Sequence, residues 1–331
     1  MKVDKQKEEE FYSKPFNFSY SSLNRLLFSP SLFYKDYILQ DREIRTDKHL
    51  VEGKLVHCLV FQPEKLEELF SIVPGKVPSE NVKRVLKGVK EVGYEQEGEI
   101  SLDKLDSVIL ACLKEENLYQ SLKTDEQRLA KVQTDDHQVY YKFICTTGMD
   151  VVDNDTVQKC QEQANIIKEN EKVMELFDKG KTDFELDTLE IYKEKPLECK
   201  LSKYEFGLKG IVDYYNVDHE AKTISIVDLK TTSKTVSDFA ESIEYYNYWL
   251  QAAIYTKLVL STHEDIKDYK ILFTFVVIDK YNQVVPFNVS DVTMRDWAKG
   301  MKGILDIAAY HYKEKNYSLP YEFLINSVVM I

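Results

Sequence analysis

The chain has 331 residues, of which 44% are hydrophobic and 30% charged, and its formal net charge is −12 at pH 7. This composition is typical of a folded globular protein and excludes a disordered chain. No apolar run approaches the roughly 20 residues that span a bilayer, and the acidic charge excludes a protein that coats nucleic acid through bulk attraction. Because the charged start of the chain lacks the apolar core of a signal peptide, we expect a cytoplasmic protein without a membrane partner.

Two short helices are predicted near the amino terminus, after residues 1–14, which we expect to be flexible. Both lie in "SYSSLNRLLFSPSLFYKDYIL". Ser21 or Ser22 would cap the first helix. The second would open at Ser29, with Pro30 in its first turn.

The next part of the chain is also predicted to be mainly helical. Residues 47–61 are interpreted as a helix on which Gly53 and His57 share a face, because they are four residues apart. Residues 74–100 carry Pro, Gly and many charges and are interpreted as a mobile basic segment. One strand is predicted in "QVYYKFICTT".

The cysteines are odd in number, scattered and never in C-x-x-C spacing. This usage suggests neither disulfides nor a zinc site. We therefore expect buried thiols at Cys58, Cys112, Cys145, Cys160 and Cys199.

From about residue 183 the hydrophobic pattern changes to the period of two that strands show. The predicted strands are "DFELDTLEIYKE", "LECKLSKYE", "FGLKGIVDYYNV", "TISIVDLKTT", "ILFTFVVID" and "QVVPFNV". The segment "DHEAK" would form the turn between the third and the fourth, and "DFAESIEYYNYWLQAAIYTKLVL" would form a helix of about six turns. The predicted class is α/β, with a mixed central sheet flanked by helices and a helical amino-terminal elaboration.

No linker, low-complexity tract or fixed-period repeat interrupts the chain, which favours one domain over residues 15–331. In this prediction residues 15–180 form a mainly helical part, and residues 181–290 form the sheet core with the active site. Residues 291–331 form a closing helix and a tail.

Two acidic residues and a lysine interrupt the apolar strands. Asp213 ends one apolar run, and Asp228 and Lys230 end the next, so both carboxylates would lie at the ends of adjacent strands. Two carboxylates at short distance repel each other unless a divalent cation lies between them, and hard oxygen ligands favour Mg²⁺ or Mn²⁺. Lys230 shares a face of the strand with Asp228. Its ammonium could stabilise charge on a phosphodiester or, with a depressed pKa, align or deprotonate an attacking water.

The order of these residues, with 14 residues between the two aspartates and one before the lysine, resembles the motif of the PD-(D/E)xK nuclease superfamily. By itself the motif is weak, because an aliphatic strand that ends in "DLK" is common. Val212 also stands where the name of the superfamily has proline.

Three further segments resemble RecE-like exonucleases (exonuclease VIII type) and the wider RecB-type nuclease group. "EGKLVHCLVFQPEKLEELF" is similar to the family's helix with Gly-x-x-x-His, in which His57 is the matching residue. "QAAIY" matches the Q-x-x-x-Y motif with Gln251 and Tyr255, and "SYSSLNRLLFSPSLFY" is similar to the amino-terminal opening of RecE-like proteins. Taken singly, the histidine could be a hydrogen-bonded core residue and the Gln–Tyr pair part of a packed helix. Together the motifs cover residues 17 to 290 in the family's order.

The resemblance implies a restriction-endonuclease-like core and a set of roles. Asp213 and Asp228 would bind Mg²⁺ or Mn²⁺ through carboxylates, Leu229 through its carbonyl and His57 through a ring nitrogen. Lys230 would orient or activate water, and Gln251 and Tyr255 would position phosphate. The family often has a further glutamate on an earlier strand, for which Glu190 is preferred over Glu185. Because no cysteine follows Cys199, an iron–sulfur cluster is not expected.

The implied function is a Mg²⁺-dependent exodeoxyribonuclease that degrades one strand of linear double-stranded DNA from its 5′ end. The remaining 3′ single strand would serve a single-strand annealing protein, as in a phage or another mobile element in a bacterial cell. A homo-oligomeric ring around DNA would explain how an acidic protein processes a polyanion.

The alternatives are a structure-specific or single-strand nuclease of the same superfamily and an inactive DNA-binding recombination module. Basic residues that could face DNA are Lys83, Arg84, Lys87, Lys90 and Lys234, although each could equally belong to a solvated helix face.

Overall fold

The computed structural model describes residues 5–42, 47–93, 101–177, 188–266 and 268–326. The chain divides into two compact units, which we call the sheet unit (Met1–Ile44 and Ile166–Ile331) and the helical unit (Arg45–Asn165). The amino-terminal helices therefore belong with the sheet, although the sequence grouped them with the helical part up to residue 180. A single domain over residues 15–331 stays a prediction.

The secondary-structure elements are numbered in chain order. The strands are β1 Asn17–Phe18, β2 Phe70–Val73, β3 Asp150–Asp153, β4 Leu189–Lys200, β5 Gly207–Asp218, β6 Thr223–Thr232, β7 Lys270–Asp279 and β8 Val284–Val289. The helices are α1 Lys5–Tyr12, α2 Tyr20–Phe28, α3 Pro30–Phe33, α4 Lys48–Phe61, α5 Leu66–Leu69, α6 Glu80–Gly93, α7 Asp106–Glu115, α8 Asp125–Leu129, α9 Asp135–Thr146, α10 Asn154–Glu169, α11 Glu171–Leu176, α12 Phe239–Tyr245, α13 Tyr248–Thr262, α14 Asp291–Glu314 and α15 Tyr321–Ile325. Across the described ranges, no helix combines the length and apolarity needed to cross a membrane.

The sheet unit is built on a six-stranded mixed sheet. Strands β5, β6, β7 and β8 follow one another in this order, and the short strand β1 pairs with the same edge of β5 as β6 does. Strand β4 pairs with the opposite edge of β5. Strands β6 and β7 are parallel. Strands β4 and β6 both run antiparallel to β5, and β8 runs antiparallel to β7. Helices α12 and α13 make the crossover between the parallel strands, as such a connection requires. With helices α13 and α14 also in contact, the predicted mixed sheet flanked by helices is confirmed, and it matches a restriction-endonuclease-like fold.

The central strands are apolar over most of their length because both of their faces are buried. In β7 every residue from Phe273 to Ile278 is buried, and Ile224 and Ile226 of β6 are buried as well. The hydrophobic core of this unit also takes in the aromatic residues of the amino-terminal segment, among them Phe18 and Phe33. That packing explains why the first helices join the sheet.

The helical unit has its own core and a parallel pair of short strands, β2 and β3. Helix α6 occupies residues 80–93 of the predicted mobile basic segment, because the buried side chains of Val82, Val85, Leu86 and Val89 recur at helical spacing. Residues 94–100 of that segment lie outside the described residues.

The basic residues of α6 contact partners within the unit. Lys83 pairs with Glu80 at 2.9 Å, and Arg84 pairs with Glu116 at 2.9 Å. Lys90 donates to the carbonyl of Ile144 at 2.6 Å. The interpretation of these residues as a DNA-facing row therefore gains no support from their surroundings.

The predicted strand in "QVYYKFICTT" is wrong, since this stretch lies in helix α9. Thr134 caps the helix by accepting from the N–H of His137. The buried residues Tyr140, Tyr141 and Cys145 lie on one face at helical spacing. The aromatic residues that suggested a strand serve here as the core side of a helix.

The first helix of the amino-terminal pair is capped by Ser19, two or three residues earlier than predicted. Ser19 has extended backbone and accepts from the N–H of Ser22, whose hydroxyl in turn accepts from the N–H of Ser19. The second helix opens as predicted, with Ser29 as its cap and Pro30 at its first position.

The predicted six-turn helix after β6 is wrong in one respect, because it is divided into α12 and α13. Asn247 lies between them with φ 56°, in the left-handed region that Asn tolerates better than most residues. Its side-chain amide donates to Asn24 at 2.7 Å, and the carbonyl of Tyr246 accepts from the hydroxyl of Tyr20. The break thus depends on helix α2, more than 200 residues away along the chain.

At Gly207 of β5 the neighbouring strands β1 and β4 both approach the backbone closely. A Cβ at this position would overlap the carbonyl oxygen of Cys199 and the side chain of Asn17. We expect Gly207→Ala to lower the free energy of unfolding by about 1–3 kcal/mol, because the strand backbone must shift. Urea unfolding followed by tryptophan fluorescence measures the change, since Trp249 and Trp297 both lie in this unit.

The matched control is Gly303→Ala on α14, where an added Cβ would meet nothing within 4 Å. It should raise stability by roughly 0.5–1 kcal/mol, because alanine is the better helix former. Equal effects of the two substitutions would show that the space around Gly207 is not limiting.

Candidate metal centre

Asp213 lies where strands β5 and β6 separate. The β5–β6 ladder runs from Tyr214 to Asp218 on β5, and β1 pairs with the same edge of β5 only at Gly207 and Leu208. In between, the carboxylate of Asp213 accepts from the backbone N–H of Leu229 at 2.9 Å. Asp213 was predicted at the end of a strand but lies inside β5. Its carboxylate takes the place of the β5 carbonyl that would accept from Leu229 in a regular ladder.

Asp228 and Lys230 form an ion pair on β6, also inside the strand and not at its end. Asp228 is fully buried, whereas the side chain of Lys230 is partly buried, with 14% of its surface exposed. Burial disfavours the charged ammonium, but the carboxylates of Asp228 and Asp213 outweigh burial and raise the pKa of Lys230 above its usual value. This direction is opposite to the depressed pKa considered from the sequence.

Glu194 brings a third carboxylate to this place. In the antiparallel register Lys193 faces Tyr214 and Lys195 faces Val212, so Glu194 stands opposite Asp213. Carboxylate oxygens of Glu194 and Asp213 lie within 4.8 Å of one another. Glu194 has φ 45°, a conformation that is uncommon for residues other than glycine and that often marks functional positions.

Glu190, the preferred extra ligand, is not brought to the aspartates. It faces Val217 on β5, four residues along the strand from Asp213, which corresponds to about 13 Å. Its carboxylate accepts from Tyr192 at 2.6 Å and contacts His219 at 3.1 Å, and these bonds lower its pKa. Glu185 lies outside the described residues.

The sequence held a signal for Glu194 that was missed. "EIYKE" and "LECK" were assigned to two strands separated at Lys195 and Pro196, but β4 is continuous from Leu189 to Lys200. Read as one strand antiparallel to β5, the same letters place a glutamate opposite Asp213. Pro196 is accommodated because β4 pairs on its β5 side and is an edge strand.

Gln251 and Tyr255 lie together on helix α13, as their spacing predicts. The amide of Gln251 donates to the hydroxyl of Tyr255 at 2.9 Å, and both side chains are buried. Burial, with the nearby Asp213 and Asp228, raises the pKa of Tyr255 well above its usual value. The helix approaches β5 closely at Gly210, where an added Cβ would lie 3.1 Å from the ring of Tyr255.

His57 lies on helix α4 of the helical unit. Its ring packs edge-on against Phe61 one turn later, with centroids 6.0 Å apart. The role of His57 as a metal ligand stays a prediction.

A cavity of about 830 Å³ lies beside the ion pair of β6. Its wall includes Lys230, Tyr248, Gln251 and Tyr255, together with Ser19 and Tyr20 from the amino-terminal segment. The amino-terminal motif, the D-x-K motif and the Gln–Tyr pair, which are separate in the sequence, therefore line the same cavity.

The donors at the split between β5 and β6 suit a hard divalent cation. Carboxylate oxygens of Glu194 and Asp213 lie within 4.8 Å of one another, and Asp228, which pairs with Lys230, adds a third carboxylate on the neighbouring strand β6. The N–H and C=O of a strand residue point to the same side, so the carbonyl of Leu229 faces the split as its N–H does. Oxygen donors of this kind fit Mg²⁺ or Mn²⁺ and not the softer metals.

Comparison with known families agrees with this geometry. The family model of the PD-(D/E)XK nuclease superfamily matches residues 17–307, which include the sheet and all the residues just described. The chain belongs to the PD-(D/E)XK nuclease superfamily. It is a metal-dependent nuclease.

Two solved structures resemble the chain only distantly. A candidate exonuclease from Eubacterium rectale is 12% identical with a TM-score of 0.46, covering 100% of this chain and 96% of its own. The protein SSO0001 is 13% identical with a TM-score of 0.23, covering 75% of this chain and 96% of its own. No curated protein matches the chain. The assignment therefore rests on the family model.

The two glutamates of β4 allow a direct test of the site. We expect Glu194→Gln to reduce cleavage by on the order of 10- to 100-fold, the loss caused by removing groups that support a metal site. It should also reduce the rise in melting temperature on addition of Mn²⁺, because weaker binding gives less stabilisation.

Glu190→Gln is the matched control, since it makes the same change on the same strand about 13 Å away. It should leave both readouts unchanged. A loss with Glu190→Gln and none with Glu194→Gln would assign the extra ligand to Glu190 after all.

Proposed function

We propose that the protein is a RecE-like exodeoxyribonuclease that uses Mg²⁺ or Mn²⁺ to degrade one strand of linear double-stranded DNA from the 5′ end. The observation that carries the proposal is the cavity in which the amino-terminal motif, Lys230 of the D-x-K motif and the Gln–Tyr pair meet. A nuclease of another branch would need the D-x-K motif and the metal ligands but not this combination.

The catalytic arrangement assigns a separate task to each group. A bound divalent cation would polarise the phosphodiester and supply an activated water. Asp213, Asp228, Glu194 and the carbonyl of Leu229 would hold it. Lys230 would stabilise the negative charge that develops on the phosphate and would orient or activate the attacking water.

The neighbouring helix would position the substrate. The amide of Gln251 is oriented by the hydroxyl of Tyr255, so that its second N–H can donate to a phosphate oxygen in the cavity. His57 would complete the ligand set through a ring nitrogen, as the resemblance implies. The product, a 3′ single strand, would pass to an annealing protein, and a ring of subunits would retain the duplex.

Digestion of DNA with labelled ends tests the proposal. Linear duplex labelled at the 5′ or the 3′ end and closed circular duplex are incubated with Mg²⁺ and with a chelator. We expect metal-dependent release of the 5′ label, slower loss of the 3′ label and intact circles. Cleavage of circles, or of single strands alone, would favour another nuclease of the superfamily, and absence of cleavage with both Mg²⁺ and Mn²⁺ would favour a binding module.

Lys230→Ala should lower the rate by about 10²–10³-fold, because it removes a charge that stabilises the transition state. DNA binding and Mn²⁺ binding should remain, which anisotropy and calorimetry would measure. Lys203→Ala is the control, since Lys203 pairs at the surface with Asp306 at 2.6 Å. Unchanged cleavage by Lys230→Ala would remove Lys230 from the mechanism.

A further inference from the structure

A run of tyrosines leads from Lys230 towards the protein surface. The ammonium of Lys230 lies 4.9 Å from the centroid of the Tyr248 ring. Tyr248, in the cavity wall, is 5.4 Å from Tyr246, with 31° between the planes. Tyr246 is 4.8 Å from Tyr245, with 88° between the planes, so the edge of one ring meets the face of the other. The three rings therefore form one contiguous aromatic cluster beside the cavity.

The outer end of this cluster is open to solvent. The exposed fraction is 76% for Tyr245 and 42% for Tyr246. The ammonium of Lys234, at the end of β6, lies over the Tyr245 ring at 5.7 Å from its centroid. Adjacent large aromatic residues with this much exposure are unusual on a protein surface and often mark a binding site.

The backbone that carries the rings is held in place. The carbonyl of Tyr246 accepts from the Tyr20 hydroxyl, and the side chain of Asn247 donates to Asn24 at 2.7 Å. A surface that is ordered before a ligand arrives loses less conformational entropy on binding. The backbone that carries Tyr245 and Tyr246 is therefore ordered before a ligand binds.

The chemistry of the patch selects a flat, aromatic ligand with a negative charge beside it. Exposed tyrosine rings stack on nucleobases of any sequence, and a lysine at the edge can contact the phosphate. Glu241 and Glu244 are exposed on the same helix, so the patch is not a simple basic surface. Stacking, and not bulk charge, must provide most of its affinity.

We propose that Tyr245 and Tyr246, with Lys234, form a base-stacking platform for single-stranded DNA next to the active site. This inference rests on the proposed nuclease function and deepens it. Bases of the strand would stack on the exposed rings while its backbone runs past Lys234 towards Lys230. The strand would thus enter or leave the cavity unpaired.

The test is the affinity for a fluorescent single-stranded oligothymidylate, measured by anisotropy in chelator so that no cleavage occurs. We expect Tyr245→Ala to weaken binding about tenfold, the loss that stacking of one base explains. Tyr245→Phe and Tyr245→Trp should stay within about twofold of the unmodified protein, since they keep an aromatic face. Lys234→Met should reduce the dependence of affinity on salt by about one counterion.

Two controls separate stacking from other effects. Phe323→Ala removes an aromatic residue of 53% exposure on helix α15 and should leave binding unchanged. An oligonucleotide of the same length with abasic sites should bind the unmodified protein as weakly as Tyr245→Ala binds the normal one. An affinity for oligothymidylate that is the same in Tyr245→Ala and the unmodified protein would overturn the platform.

Sedimentation of the same variants examines the competing occupant, a second copy of the chain. If Tyr245→Ala dissociates an oligomer and leaves the affinity for single strands intact, the surface is a subunit interface and the proposal is wrong. The two proposals can fail separately: 5′ degradation with no effect of Tyr245→Ala removes only the platform. Tyrosine-dependent binding without any cleavage removes only the nuclease function.

Discussion

The site depends on the separation of strands β5 and β6 beyond Tyr214 and Val227. Beyond these residues the backbone N–H of Leu229 donates to a side chain and not to a carbonyl of β5, and a buried N–H without an acceptor would cost about 1–3 kcal/mol. The carboxylate of Asp213 accepts that bond, so an acidic residue is required here for folding as well as for chemistry. The carbonyl of Leu229 faces the same opening, because both groups of a strand residue point to one side. One local departure from a regular sheet thus creates both the space and the donors for a metal.

Three carboxylates at this opening have an energetic cost that shapes their surroundings. Burial disfavours charge, and the like charges repel each other. Lys230 offsets part of this by pairing with Asp228, and its own charge is retained because those acids raise its pKa. The ion pair therefore balances part of the negative charge that the acids bring into the interior.

Much of the sheet could be predicted, and the failures have physical causes. Strands β7 and β8 could be predicted because their residues form apolar runs or alternate between apolar and polar. These patterns reflect how the strands pack against neighbouring elements. The continuity of β4 was missed because Pro196 usually ends a strand, and only the edge position of β4 permits it. The break at Asn247 depends on Asn24 and Tyr20, a contact that no local pattern contains. The same reason hid Glu194, since a residue becomes a neighbour of Asp213 only once the strand register is known.

The acidic charge of the chain and a nucleic-acid substrate are compatible if recognition acts at short range. A net charge of −12 opposes long-range attraction of DNA, but screening limits such fields to roughly 10 Å at ordinary salt. Within that distance Lys230 of β6, Lys234 just after the strand, the amide of Gln251 and the tyrosines beside the cavity act individually. Metal ions at the carboxylates would reverse the local charge just where the phosphate must lie. An acidic chain can therefore carry a nuclease site whose substrate contacts are local and do not depend on the net charge.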